Sequence, residues 1–280
     1  MTLARTADLI AAARRRGRGV AAFNVITLEQ AEAVVAAAEQ AGRGLILQVS
    51  QNAIRFRRGF APLLAACCEL ARAATQPVAL HADHIDDPEL AGALLARAEE
   101  LGLGSLMFAA STLPYEQNLA ATARVAAAGL RLGLWVEGEL GEVGGKDGAH
   151  APGVRTDPDD AVAFVASTGV DGLAVAVGSS HAMLERTATL DLDLIAVLDA
   201  VVPVPLVLHG SSGVPDEVLD AAVGAGIRKV NIGTALAIAG TARLRQELAD
   251  RPKAVDPRRY LDGVREATAA TAVHLLGVVA

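Results

Sequence analysis

The chain has 280 residues, 52% of them hydrophobic and 3% aromatic, enough apolar material for a large aliphatic core. A formal net charge of −7 argues against a nucleic-acid-binding surface, and no apolar run is long enough to span a bilayer. The two cysteines, Cys67 and Cys68, are neighbours, so they build neither a disulfide framework nor a thiolate zinc site, and any metal falls to histidine and carboxylate.

Thr2 reads as the cap of a first helix running to about Arg16. The same stretch carries Arg14-Arg15-Arg16 with no apolar block behind it, unlike a secretory signal, so a cytoplasmic protein is expected. Gly19 to Asn24 reads as a strand. Thr27 and Gln30 form a capping box for a helix over Leu28 to Gln40. Gly44 to Ser50 is the second strand. The basic cluster Arg55, Arg57, Arg58 reads as a solvated loop, followed by a helix from about Ala61 to Ala74. The third strand starts at Pro77-Val78 and runs into His81-Ala82-Asp83-His84. If Asp83 and His84 are both extended they point to opposite sides, but a turn beginning there aims both into one pocket.

The alternation continues, with one helix from Pro88 towards Gly102, a strand over Gly104 to Ala109, a helix over Pro114 to Ala128 and a strand over Leu132 to Glu139. A Gly-rich loop spans Gly141 to about Thr156. Asp157 and Pro158 then open a helix to about Thr168. Next come a strand over Gly172 to Val177, a helix over Leu192 to Val201 and a strand over Pro205 to His209. A helix from Pro215 to Ala225 and a strand over Ile227 to Ile232 follow, and two final helices lie near Ala235–Leu248 and Pro257–Leu276. Eight βα units with no linker predict one closed parallel barrel over residues 1–280, with an extra N-terminal and C-terminal helix. A doubly wound sheet is the alternative and leaves open edges.

Three signals carry chemistry. First, His84, His181 and His209 each follow a strand, so their loops open on one rim. Three neutral imidazoles with an open fourth position suit a catalytic zinc ion. Spacing alone leaves a structural reading of each open. His81 sits inside its strand, His150 in the loop and His274 in the last helix. Second, the small-residue turn Leu208-His209-Gly210-Ser211-Ser212-Gly213 and the neighbouring Asn231-Ile232-Gly233-Thr234 stand where barrels often bind phosphate, after strands seven and eight. Third, Glu137 and Glu139 share one face of their strand, and two inward acids are costly without a cation or donors. The alternative is that they cap and solvate the loop, whose glycines otherwise suit movement over the site.

Together these stretches resemble the class II, metal-dependent ketose-bisphosphate aldolases. Ala22-Phe23-Asn24-Val25 and Ile46-Leu47-Gln48-Val49-Ser50 look like that family's first two strands, and His81-Ala82-Asp83-His84 matches its His-x-Asp-His. Val136 to Gly145, Leu208 to Gly213, Lys229-Val230-Asn231-Ile232 and Asp256-Pro257-Arg258 complete the set. The resemblance implies a TIM barrel and reversible, zinc-dependent cleavage of a phosphorylated ketose to dihydroxyacetone phosphate and an aldehyde. His84, His181 and His209 would hold the zinc, with Glu139 at an alternate metal position and a monovalent cation as a further candidate. Asp83 would be the acid/base on the hydroxyl beside the breaking bond, and Asn231 would hold the enediolate. The phosphate would fall to Gly210, Ser212, Gly213, Gly233, Thr234 and the segment at Ala182, with Asn24 and Ser50 near the rest of the substrate. Asp147, then Glu142, would be the proton-transferring acid of the loop. A homodimer or homotetramer is implied, with a sugar phosphate as the small-molecule partner and neither nucleic acid nor membrane.

Several positions depart from that family's pattern. Ala182, Gly233, Ala237 and Ala109 stand where it commonly has Gly, Asp, a basic residue and Asp. Losing the basic residue at Ala237 puts the distal phosphate in doubt. Dihydroxyacetone phosphate is therefore expected as one product, and the aldehyde either lacks a phosphate or meets another arginine such as Arg258. A metal hydrolase on a barrel is a competing reading, but Phe23-Asn24-Val25 offers no His-x-His after strand one. A sugar-phosphate-binding protein without catalysis is another, though binding alone does not need Asp83 beside three histidines.

Overall fold

The structure, a computed structural model, describes residues 3–140, 154–180 and 183–280. Eight parallel strands close in sequence order, each hydrogen-bonded to the next and β8 to β1. They are β1 Val20–Asn24, β2 Leu45–Ser50, β3 Val78–Ile85, β4 Ser105–Phe108, β5 Trp135–Leu140, β6 Gly172–Val175, β7 Leu206–Leu208 and β8 Ile227–Ile232. Twelve α-helices occur among the described residues. The first six are α1 Thr6–Arg15, α2 Leu28–Ala41, α3 Gln51–Arg57, α4 Ala61–Ala73, α5 Pro88–Ala96 and α6 Ala98–Leu101. The rest are α7 Tyr115–Arg131, α8 Pro158–Thr168, α9 Leu192–Val201, α10 Asp216–Ala225, α11 Thr234–Asp250 and α12 Arg258–Val279. None is long and apolar enough to cross a membrane.

The strands are buried on both faces because helices cover the outside and side chains fill the inside. The inner layer holds Val20, Ala22, Ile46, Ala79, Met107, Trp135, Ala174 and Val207, and Ile10 and Ala13 of α1 pack onto it to close the N-terminal end. The larger shell of Leu, Val and Ile lies between strands and helices. Local signals act as expected at α2, where Thr27 and Gln30 form the reciprocal capping box and Gly42 ends the helix in the left-handed region.

Three sequence expectations change. The first helix begins at Thr6 behind Arg5, not at Thr2. The helix expected from Pro88 to Gly102 is two, because Arg97 leaves helical geometry between α5 and α6. The segment read as a loop after Ser50 is α3: Ser50 itself caps it, its side chain accepting from the Ala53 N–H at 3.3 Å. Arg58 ends that helix in the left-handed region at φ 58°.

Candidate active site at the C-terminal mouth of the barrel

In β3 the alternation turns Ala79, His81 and Asp83 inward and Leu80, Ala82 and Ile85 outward. His84 should follow the outward set. Instead it takes φ 53°, and the β3–β4 register shifts between Ala82 and Ile85. A left-handed non-glycine residue costs roughly 1–2 kcal/mol, and a bulge beside a site serves to re-aim a side chain. Here it brings the His84 ring onto its neighbour's carboxylate, with Nδ1 2.7 Å from Asp83 Oδ2. Both therefore reach one pocket, as a turn beginning there allows.

Asp83 is fully buried and its oxygens are well supplied. Asn24 Nδ2 donates to Oδ2 at 2.9 Å and Asn231 Nδ2 to Oδ1 at 3.2 Å. Burial alone would raise its carboxyl, but the charge and hydrogen bond of His84, with His209 and Lys229 nearby, outweigh that and hold it well below the usual carboxylate range. His209, just past β7, points Nδ1 at His84 Nε2 at 3.0 Å, while its Nε2 lies 2.7 Å from Glu137 Oε1. Burial, then the neighbouring His84, lowers the His209 pKa, so this ring is neutral.

Lys229 is legible in the sequence only as a motif letter, whereas alternation already turns Glu137 inward; their pairing comes from the fold. Both are fully buried inside the barrel, and Lys229 Nζ bridges Glu137 Oε2 at 2.8 Å and Asn231 Oδ1 at 2.7 Å. Burial would raise Glu137; the Lys229 ammonium and the His209 contact overcome this and bring it to about 2. The donors that two inward acids require are thus present: Lys229 for Glu137, and Ser111 Oγ, 2.6 Å away, for Glu139. Deeper in, His81 is held neutral, its pKa lowered to about 3 chiefly by burial and then by Lys229, and its Nδ1 meets Ser105 Oγ at 2.8 Å.

Asp83, His84 and His209 bring one ligand atom each within 4.8 Å of one another, a grouping that can hold a metal ion. Glu139 lies outside that group. His181, Ala182, Glu142, Asp147 and His150 lie outside the described residues. The geometry itself tests the fit of a metal. His84 Nδ1 lies on Asp83, and His209 Nε2 on Glu137 with Asn231 Nδ2 3.3 Å from it, so the remaining nitrogens of the two rings are turned towards each other, 3.0 Å apart. Imidazoles oriented by carboxylates and converging in this way are the usual means by which proteins present a metal site.

The cluster opens into a cavity of about 670 Å³. Its wall includes Asn24 of β1, Ser50 at the end of β2, and Gly210, Ser212, Gly233 and Thr234 after β7 and β8. Ser212 Oγ accepts from the Ala235 N–H at 3.1 Å, at the N-terminus of α11. Gly210 adopts φ 67° and lies so close to Ser180 that a Cβ would stand 2.6 Å from its carbonyl oxygen. Gly213, expected in the phosphate site, is buried behind the wall against Met183. Ala237 does line the cavity, whereas Arg258 is not on its wall and is tied to Asp256 at 2.8 Å.

A closed parallel barrel whose C-terminal mouth carries an acid, two carboxylate-anchored imidazoles and a helix N-terminus defines a barrel enzyme with a metal-competent centre. Residues 4–280 match the family model described as fructose-bisphosphate aldolase class-II. The chain is 34% identical to the fructose-bisphosphate aldolase of Thermus caldophilus, covering 93% of this chain and 92% of that protein. It is 34% identical to the sulfofructosephosphate aldolase of Alkalicoccus urumqiensis, over 91% and 88%. The crystal structure of the YdjI aldolase from Escherichia coli K12 superposes with a TM-score of 0.85 at 30% identity, over 99% and 97% of the two chains. The chain belongs to the class II fructose-bisphosphate aldolase family. It is a carbon–carbon lyase that performs aldol cleavage of a phosphorylated ketose.

Proposed function

We propose that the protein cleaves its ketose reversibly to dihydroxyacetone phosphate and an aldehyde, using zinc held by His84, His209 and His181. The observation that carries this reading is the convergence of His84, His209 and the buried Asp83, whose ligand atoms all lie within 4.8 Å of one another. Bound there, zinc supplies Lewis-acid stabilisation of the negative charge that builds on the ketone oxygen as the carbon–carbon bond breaks.

The chain's own groups do the rest. Asp83, kept ionised, takes the proton of the hydroxyl next to the scissile bond. The C–O bond becomes the aldehyde carbonyl, and the bonding electron pair passes to the enediolate fragment. Asn231 holds that fragment, with its amide fixed because Lys229 occupies its Oδ1 and leaves Nδ2 towards Asp83. Asn24 Oδ1 is buried without a hydrogen-bond partner, which supports a role as acceptor for a substrate hydroxyl. The α11 N-terminus, Gly210, Ser212, Gly233 and Thr234 take the phosphate through backbone N–H groups and hydroxyls. Ser50 stands towards the aldehyde half. Asp147 is the acid that returns a proton to the enediolate carbon, with Glu142 next. The family supports a homodimer or homotetramer working in the cytoplasm.

The relatives are named for different ketose phosphates, so the aldehyde half is a separate question. Release of dihydroxyacetone phosphate, followed by coupled reduction, should be seen with one or more ketose 1-phosphates and vanish with chelator. Full turnover after thorough metal stripping, or no release from any phosphorylated ketose, sinks the reading. A clear preference for fructose 1,6-bisphosphate overturns the inference drawn from Ala237.

A further inference from the structure

The cavity has a second end. Its phosphate side lies beyond β7 and β8, while β2 and β3, on the other side of β1, bring Ser50, Gln51, Asn52, Arg55 and Asp86 to the same wall. We propose that Arg55 and Asp86, with Asn52 beside them, form the subsite for the substrate end remote from the phosphate, and that they select an uncharged, hydroxyl-bearing aldehyde over a phosphorylated one. This rests on the aldolase reading above.

The placement is built, not incidental. Because α3 starts directly from Ser50, its first turns overhang the mouth. Gln51 is buried and stitches this helix to the end of β3: its Oε1 accepts from the N–H groups of Asp86 at 3.1 Å and Asp87 at 3.2 Å, and its amide donates to the Asp86 carboxylate. Asp86 Oδ1 is thereby held, and Arg55 Nη2 approaches it at 3.4 Å. With both side chains more than half exposed, that ion pair adds little to stability. It does fix what the subsite offers: guanidinium donors beside a carboxylate acceptor.

Among the described wall residues Arg55 is the one cation, and Asp86 neutralises it. A phosphate dianion drawn to Arg55 would also meet the Asp86 carboxylate. A hydroxyl uses both, accepting from the guanidinium and donating to the carboxylate. On the α11 side Ala237 contributes no charge.

The test is the ratio of kcat/KM for hydroxyaldehydes to that for their phosphate esters, in condensation with dihydroxyacetone phosphate by the metal-loaded enzyme. A ratio cancels any general loss of activity. Wild type should favour the uncharged partners. Asp86→Asn should move the ratio about fivefold towards the esters, and Arg55→Met about fivefold the other way. If Asp86→Asn does not fold, Arg55→Met, at an exposed side chain, carries the test. Wild type that prefers the esters, accepts no hydroxyaldehyde, or shows a ratio unmoved by the substitutions overturns the proposal. Exchange of the dihydroxyacetone phosphate C–H for deuterium by wild type separates the two levels: without exchange the aldolase reading itself fails, and with it only the subsite is at stake.

Discussion

His84 Nε2 and His209 Nδ1 stand 3.0 Å apart, each ring anchored at its other nitrogen by a carboxylate, Asp83 for one and Glu137 for the other. With the Asp83 carboxylate they bring three ligand atoms within 4.8 Å of one another, a grouping that can hold a metal ion. Removing the metal should therefore abolish turnover by at least about 100-fold, the scale of several kcal/mol of charge stabilisation, and lower the melting temperature. Metal analysis alongside the cleavage assay checks this, and restored zinc should restore both properties.

Asp83→Ala separates proton transfer from binding. Loss of a positioned acid/base should cost roughly 10²–10⁴ in kcat. The histidines should still retain zinc when it is supplied in excess. A variant with near-normal turnover removes Asp83 from the mechanism; a wild type with no turnover leaves a binding protein.

Lys229 and Glu137 are a fully buried pair, so removing either partner strands the other. Lys229→Met should destabilise the fold by about 3–5 kcal/mol. Lys229→Met with Glu137→Gln should cost less than the sum of the two single changes, because no uncompensated charge remains. Urea unfolding of the four proteins measures the coupling.

Acid should act through the same pair. The Glu137 pKa falls from an ordinary 4.5 to about 2 in the folded chain. Its contribution is fully present above the unfolded value and is lost as pH falls from about 4.5 through about 2. With metal chelated, wild type should lose stability over that window more steeply than Glu137→Gln. Equal slopes would locate acid sensitivity elsewhere.

Gly210→Ala tests the phosphate cradle. A side chain at φ 67° costs about 1–2 kcal/mol, and its Cβ would press on the Ser180 carbonyl. The expected result is a raised KM for the phosphorylated substrate together with a lowered melting temperature. Wild-type kinetics in a folded variant would remove Gly210 from that cradle.

Taken by itself, the sequence determined the architecture and the rim. Eight apolar runs alternating with helices favour a closed barrel, which leaves no open strand edge, over a doubly wound sheet, and period-two alternation is enough to put Glu137 and Glu139 inside. It also marked Asp83, His84 and His209 as strand-end residues, because strand ends are local. It missed α3, since the Arg-rich stretch after Ser50 carries no apolar periodicity and the helix is set by the Ser50 cap and by Gln51 bonding the end of β3.

What only the tertiary structure decided is which groups meet. The left-handed turn at His84, which points it where Asp83 points, depends on a register shift against β4. Lys229 reaches Glu137 across 92 positions of sequence because the barrel closes β8 back towards β5 through its interior. Pairings of that range carry no local signature: they exist only once buried charges, shut away from water, have no other partner to choose.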